Sequence, residues 1–422
     1  MDVVFKRNRE IQQLLRFRGN GKIKVIEGLR QVGKSFLLKE LFYKTLLDLG
    51  VKNEEIALLD FLEKDDEIRK KAELKAKVRS LAALNPISYL FMDEIQLVKG
   101  FGTALKTLHF QHPDVDIYVT GSNSKTLSKD IQREIGAEDS CEVIVRPLTF
   151  EEACEDYPSF RFSDYFSYGG LPKVVRADGV SGKNNAFETL YRETYEKDIL
   201  DRTTDLKNIG ENEKKKILQR VFDTITTGLS LKTIAKQINA DNKSQNKNSS
   251  AVHADIDTYF KRLVDSFLFE GMDEDASDAH ESGKNHIENR GKCYCEDPGL
   301  LRYASRAKDL DSAVFENIVF MNLFSKGYRP VSLKFDYVDL ASKTECKNRG
   351  VDFYFEKNGE NYLVQAVLVL LDGENYQREV SNLRHCQRAG KRLVVYFYDR
   401  TSSHPDAEGV EFLQVEDFLK RI

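Results

Sequence analysis

Over the first 155 residues, short apolar runs alternate with stretches whose apolar positions recur at helical spacing. IKVIEG, residues 23–28, reads as a buried strand. SFLLKELFYKTLLDLG follows at helical period and stops on a glycine. EEIALLDFL, ISYLFMDE and VDIYVTGS supply three further strand patterns. Strands separated by helices predict a parallel sheet with crossover helices, an α/β domain over residues 1–155. From Phe160 to Asn289 the pattern turns mainly helical, broken at Gly228 and by a polar run from Asn239 to Ser250. It ends in a polar, acidic stretch, EDASDAHESGKNHIENRG, that reads as an exposed loop. Period-2 alternation returns after Lys292, in CYCEDPGLLRYA, VDFYFEKNGENYLVQAVLVLL and KRLVVYFYD, with EKNGE as a hairpin turn and a helix starting near Asp311. The pattern thus predicts three parts, residues 1–155, 156–290 and 291–422, and shows no solenoid-length repeat.

The 422 residues are too many for one core, which agrees with several parts. A composition 41% hydrophobic and 31% charged excludes collagen-like and wholly disordered chains. With 64 Lys and Arg against 68 Asp and Glu, the net charge is −4, so a nucleic-acid surface would have to be a local patch. The apolar runs are too short to span a bilayer, and the charged N-terminus does not read as a signal peptide. The expectation is a cytoplasmic protein without a membrane partner. Six cysteines with one C-x-C (Cys293, Cys295) suggest neither a disulfide framework nor paired zinc ligands.

The strongest chemical signal is GLRQVGKS, residues 28–35, which fits G-x-x-x-x-G-K-[ST] between a strand and a helix. Glycine-rich backbone wraps phosphates with N–H groups, and the helix start adds partial positive charge. The expected nucleotide-binding residues are Gly28, Leu29, Arg30, Gln31, Val32, Gly33, Lys34, Ser35 and Phe36. Lys34 would reach the β- and γ-phosphates, and Ser35 would ligate Mg²⁺. The strand of YLFMDEIQ ends in two carboxylates: Asp93 would hold Mg²⁺ through water, and Glu94 would polarise the attacking water. VDIYVTGSN ends beside it in small polar residues, so Thr120, Ser122 or Asn123 would sense the terminal phosphate.

The ordered set GLRQVGKS, LFMDEIQ, IYVTGSNS, RPLTFEE and YGGLPKVV resembles the prokaryotic AAA+ ATPases of the archaeal-ATPase type. EKDILDR, DPGLLRY, FENIVFMNLFSKGY, GVDFYF and YLVQAV extend the resemblance, in order, through the C-terminal region. The resemblance implies ATP with Mg²⁺ as cofactors, and a C-terminal domain related to restriction-type nucleases. ATP rather than GTP rests on it alone. Members usually carry Gly-Arg before P-L-[ST]-F. Here REIGAEDSCEVIVRPLTF has Glu138 and Asp139 near that place, leaving Arg133, Arg146 or Arg202 as substitutes and implying slow hydrolysis.

The segments LSLKTIAKQINA and AVHADIDTYFKRLVDSFLF resemble a winged helix-turn-helix, with Ser249 or Ser250 capping its second helix and FLFEG opening the wing. Lys243, Lys247, Lys261 and Arg262 would meet phosphates, while Asp255, Asp257 and Asp265 oppose them. DNA binding and a protein-packing role both remain open. The nuclease-like resemblance places Glu316 and Asp352 at the first two metal positions. Gln365 and Val367 replace the usual Glu and Lys, which implies a binding or regulatory remnant. The reading is an ATPase whose hydrolysis moves its C-terminal parts, with a nucleotide-gated DNA-binding regulator as the alternative. Partners would include ATP, DNA in the alternative, and a protein whose nature is open, as is a homo-oligomer.

Overall fold

The computed structural model describes residues 4–65, 67–121, 126–225, 236–238, 240, 250–274, 292–308, 310–339, 344–404 and 407–422. The chain divides into two compact units, Met1–Pro147 with Asp265–Phe267, and Leu148–Val264 with Leu268–Ile422.

In the first unit, β1 (Ile23–Gly28), β2 (Ile56–Asp60), β3 (Tyr89–Asp93), β4 (Asp116–Thr120) and β5 (Ser140–Val145) form one sheet. Its order is β2-β3-β4-β1-β5, and every pairing is parallel. The four strands expected from the apolar runs are present. β5 is additional: Cys141, Glu142 and Ile144 are not fully buried, so SCEVIV lacks the continuous apolar run that marks the inner strands. One face of the sheet packs Val25, Leu59, Leu90 and Val119 against Leu74, Val78, Leu105 and Ile131 of the crossover helices. On the other face Phe91 and Tyr118 pack around Phe42, Phe91 stacked on it and Tyr118 tilted. Phe42 belongs to the helix after the glycine loop, which runs Lys34–Phe36, widens into a π-helical stretch over Leu37–Phe42 and continues as Tyr43–Asp48.

The second unit combines helices with a seven-stranded mixed sheet of order β12-β11-β10-β9-β8-β6-β7. Its strands are β6 (Phe269–Glu274), β7 (Lys292–Cys295), β8 (Val331–Asp339), β9 (Thr344–Lys357), β10 (Glu360–Leu370), β11 (Lys391–Asp399) and β12 (Val410–Gln414). The expected hairpin joins β9 and β10, with Asn358 and Gly359 both at positive φ as a type I′ turn requires. The helix expected from Asp311 is Leu310–Ser325.

Motifs far apart in sequence meet inside this unit. Thr149 caps the helix Phe150–Asp156, its hydroxyl accepting from the Glu152 N–H while the Glu152 carboxylate accepts from the Thr149 N–H. Just before it, Leu148 N–H donates to the Gly170 carbonyl at 2.8 Å, and a Cβ on Gly170 would lie 1.9 Å from the Leu148 oxygen. Asp297 then accepts from the N–H groups of Gly170 (2.7 Å) and Leu300 (2.8 Å). Burial pushes the Asp297 carboxyl up to about 7 despite these bonds. Residues 148–150 and the YGGLP and DPGLL elements therefore form one backbone junction within this unit, which explains the glycines of the latter two by packing.

The winged-helix expectation is only partly within the described residues. Ser250–Asp265 is helical and leads to β6, which pairs antiparallel with β7 and parallel with β8. Of the expected first helix only residues 236–238 are described, and Gly228, Lys243, Lys247 and Ser249 lie outside.

Candidate functional site

The glycine loop leaves β1 at Gly28, whose φ of 145° and contact with β5 exclude a side chain: a Cβ there would stand 2.0 Å from the Val145 oxygen. Gln31 and Gly33 also take positive φ, so the loop turns back on itself before Lys34 starts the helix. Its position is fixed from outside by Arg7. That buried guanidinium donates to the Val32 carbonyl and to the Arg146 carbonyl, both at 2.8 Å.

Lys34 is buried, and its ammonium donates to the carbonyls of Gly28 and Leu29, each at 2.9 Å. Burial pulls its pKa down to about 8, against the opposing pull of Glu94, Asp93 and Glu27. The ammonium thus lies inside the loop with carboxylates around it. Leu29 and Val32 are buried in the core, while Arg30, Gln31 and Phe36 are exposed along the loop and helix start.

Ser35 Oγ donates to Asp93 Oδ1 at 2.8 Å. Thr120 Oγ1 donates to the same oxygen and accepts from the Glu94 N–H at 3.1 Å. The carboxyl ends of β3 and β4 and the start of the loop helix are thereby tied together at Asp93. Glu94 itself sits at φ 58°, an uncommon left-handed conformation for a non-glycine, and its carboxylate accepts from Gln96 Nε2. A serine hydroxyl and a carboxylate oxygen this close, both hard oxygen donors, fit a Mg²⁺ ion. Ser122 and Asn123 lie outside the described residues.

Three contributors had no sequence signal of their own. Lys39, one helical turn past Ser35, reaches Asp60 Oδ2 at 2.6 Å and Asp93 Oδ2 at 3.1 Å. Asp60, at the end of β2, is held below the ordinary carboxylate range: burial opposes its charge, but Lys39 and the N–H groups of Glu63 and Leu62 outweigh it. Glu27, just before Gly28, accepts from the Ser128 N–H at 2.6 Å and is pushed up to about 7, chiefly by burial.

Arg146 is buried and gives its carbonyl to Arg7. Arg133 is largely exposed and pairs with Asp130 in its own helix at 3.3 Å. In the second unit Arg202 pairs with Asp198 at 2.7 Å. Arg262, expected at a DNA phosphate, is held by both oxygens of Asp205, and Asp255 accepts from Asn208.

The C-terminal positions come together around a lysine. Lys292 lies 2.8 Å from Glu316 Oε1 and 3.8 Å from Asp352 Oδ1, and the Tyr294 hydroxyl also donates to Glu316 at 2.7 Å. Gln365 is buried, accepting from the Asp352 N–H at 2.8 Å and donating to Glu379 at 2.6 Å. Val367 belongs to the apolar core. Among the described residues no group of three or more His, Cys, Asp and Glu is arranged to hold a metal ion, and no helix is long and apolar enough to cross a membrane. The six cysteines are free thiols.

Residues 20–154 match the family described as AAA domain, and residues 159–311 match a domain of unknown function (DUF8612). An uncharacterized protein of Haemophilus influenzae is 25% identical over 430 residues, spanning 99% of this chain and 98% of that protein. One of Methanocaldococcus jannaschii is 24% identical over 415 residues, spanning 94% and 85%. Among solved structures, Cdc6p from Pyrobaculum aerophilum aligns at 12% identity and a TM-score of 0.30, covering 74% of this chain and 94% of that one. The Aeropyrum pernix ORC1 protein in complex with DNA aligns at 12% and 0.32, covering 77% and 95%. Likenesses at these scores carry no conclusion about partner or activity. The AAA domain match and the parallel five-stranded sheet agree in supporting a P-loop domain of AAA+ type. The winged-helix and nuclease-like expectations gain no such support, since the stretch up to residue 311 matches a domain without an assigned function.

Proposed function

We propose that the chain is an ATP-binding AAA+ ATPase that couples Mg²⁺-dependent hydrolysis to a conformational change in its C-terminal region. The observation that carries this reading is the convergence on Asp93: Ser35 of the loop helix and Thr120 of the neighbouring strand both donate to its Oδ1. The phosphates would lie along Gly28–Phe36, with Lys34 exchanging its carbonyl partners for β- and γ-phosphate oxygens. Ser35 would ligate Mg²⁺ directly and Asp93 through water. When bound, the ion neutralises charge on the phosphate oxygens. Glu94 would orient and polarise the attacking water, and Thr120 would hold Asp93 and the Glu94 backbone in register for it. Phosphoryl transfer needs mainly such positioning and charge neutralisation.

Slow turnover is part of the reading. An arginine supplied to the transferring phosphate is worth about three to five powers of ten, and the Arg202 guanidinium already pairs with Asp198. The same observation favours a second reading, a nucleotide-gated DNA-binding regulator in which occupancy is the signal and turnover is negligible. We place the protein in the cytoplasm, with ATP, a protein partner and, in the second reading, DNA as its contacts. A homo-oligomer in which a neighbour supplies the arginine fits the first.

The test is ATP turnover by the full chain with and without duplex DNA, beside Glu94→Gln. The ATPase reading expects Glu94→Gln to bind ATP with unchanged affinity while turnover falls at least about a hundredfold. ATP bound tightly with no turnover in either condition would select the gated regulator. Failure of the wild type to bind ATP would overturn both.

A further inference from the structure

Asp60 and Asp93 occupy directly paired register positions at the carboxyl ends of adjacent parallel strands. Their side chains are almost wholly buried, at 2% and 3% exposure. Two buried carboxylates side by side repel each other unless a cation lies between them. Here that cation is part of the chain. The Lys39 ammonium sits 2.6 Å from one oxygen of Asp60 and 3.1 Å from one oxygen of Asp93.

The remaining oxygens are divided unequally. Asp60 Oδ1 accepts from the N–H groups of Leu62 and Glu63, both at 3.1 Å, so Asp60 is committed to its own turn. Asp93 Oδ1 faces the hydroxyls of Ser35 and Thr120. Lys39 therefore covers one side of the pair and leaves one Asp93 oxygen toward the glycine loop. Two carboxylates and one ammonium sum to −2 + 1 = −1. A hard divalent ion held by a single carboxylate oxygen and a hydroxyl is bound weakly, and phosphate oxygens are needed to complete its shell.

We propose that Lys39 is a positioning residue that makes divalent-cation capture conditional on nucleotide: it masks the Asp60–Asp93 pair so that the metal is held only together with a phosphate chain. The proposal rests on the ATPase reading for its purpose, but its geometry is independent of it. Its place within the π-helical stretch Leu37–Phe42 is consistent with a local distortion kept at a functional position.

The experiment uses the full chain and Mn²⁺ alone as probe, read by the electron paramagnetic resonance signal of free Mn²⁺ without nucleotide. The wild type binds Mn²⁺ only weakly. Lys39→Met uncovers both carboxylates and binds Mn²⁺ at least about tenfold more tightly, and Lys39→Met/Asp60→Asn loses that gain. Lys39→Arg keeps the wild-type behaviour. Lys39→Gln, which preserves a donor without charge, behaves as Lys39→Met and serves if the methionine variant does not fold. In calorimetry with chelator present, the uncharged variants bind metal-free ATP about tenfold more weakly, because the site has gained a negative charge. With Mg²⁺ present they stay within about threefold of the wild type. No Mn²⁺ gain in either uncharged variant, or equally tight Mn²⁺ binding by the wild type, would overturn the proposal. A wild type that fails to bind Mg²⁺-ATP defeats the ATPase reading while leaving the Mn²⁺ comparison intact, so the two failures are distinguishable.

Discussion

Asp60 with Asp93 in the first unit, and Glu316 with Asp352 in the second, are held by the same device, a lysine ammonium beside two carboxylates. Their surroundings differ. Lys39 takes one oxygen from each aspartate and leaves Asp93 Oδ1 to two hydroxyls, next to a loop wound through three positive-φ residues. Lys292 and Tyr294 instead converge on the same oxygen of Glu316, while Asp352 is tied by Lys292 and by the backbone N–H of Ala366 at 3.0 Å. The lysine that a nuclease-like strand would carry is Val367, which packs into the core. Paired acids are therefore common ground. What separates a candidate cation site from an internal ion pair is whether phosphate-seeking backbone and hydroxyl donors face the carboxylate.

The largest expected contrast is in turnover. Asp93→Asn should lower ATP hydrolysis by roughly two to three powers of ten, the scale of losing a charge-stabilising group at a phosphoryl site. Asp352→Asn should leave it within about twofold, as expected for a substitution outside the reacting groups. Phosphate release measured at saturating ATP checks both. Equal inactivation by Asp352→Asn would break the comparison, because the C-terminal pair would then belong to the chemistry.

The two sites were not equally legible. The loop could be read directly because its phosphate-facing groups occupy the contiguous residues Gly28–Phe36, and Asp93 because it ends an apolar strand. Lys39 and Asp60 could not. Their meeting depends on the register of β2 against β3 and on a π-helical turn, neither of which leaves a local pattern. β5 left no pattern for a related reason: an edge strand with Cys141, Glu142 and Ile144 not fully buried resembles a loop beside the continuous apolar run of β1. In the second unit, the cysteines of the strand KCYC form the most conspicuous local pattern. The period-2 rule puts Lys292 and Tyr294 on one face, and both reach Glu316. Glu316 and Asp352 were found by resemblance, yet their partner Lys292 was visible only once β7 joined the sheet.

A middle-sized effect tests whether Lys292 is structural. Burial, then Glu316, pushes the Asp352 carboxyl up to about 7, with Lys292 opposing. A raised pKa in the folded state gives stability that is complete below the unfolded value near 4 and lost as pH rises through about 7. Lys292→Met removes the opposing charge and extends that loss upward. The variant should be less stable by about 1–3 kcal/mol at pH 8, discounted because the groups are about a quarter exposed. Below pH 4 the deficit should nearly vanish. Urea denaturation at the two pH values checks it, and a deficit independent of pH would show lost packing in place of lost charge.

The smallest effect sharpens the same point. Glu316→Gln keeps an oxygen for the Tyr294 hydroxyl but removes the like charge that raises Asp352. The Asp352 pKa should fall, and the loss of stability between pH 5 and pH 8 should shrink by less than about 1 kcal/mol. The quantity to measure is the difference between the urea midpoints at the two pH values, larger in the wild type than in the variant. A difference that stays the same or grows would mean that Glu316 acts on Asp352 mainly by holding Lys292 in place. The second unit's pair would then be a single lysine-centred cluster, in which Glu316 and Asp352 interact through Lys292.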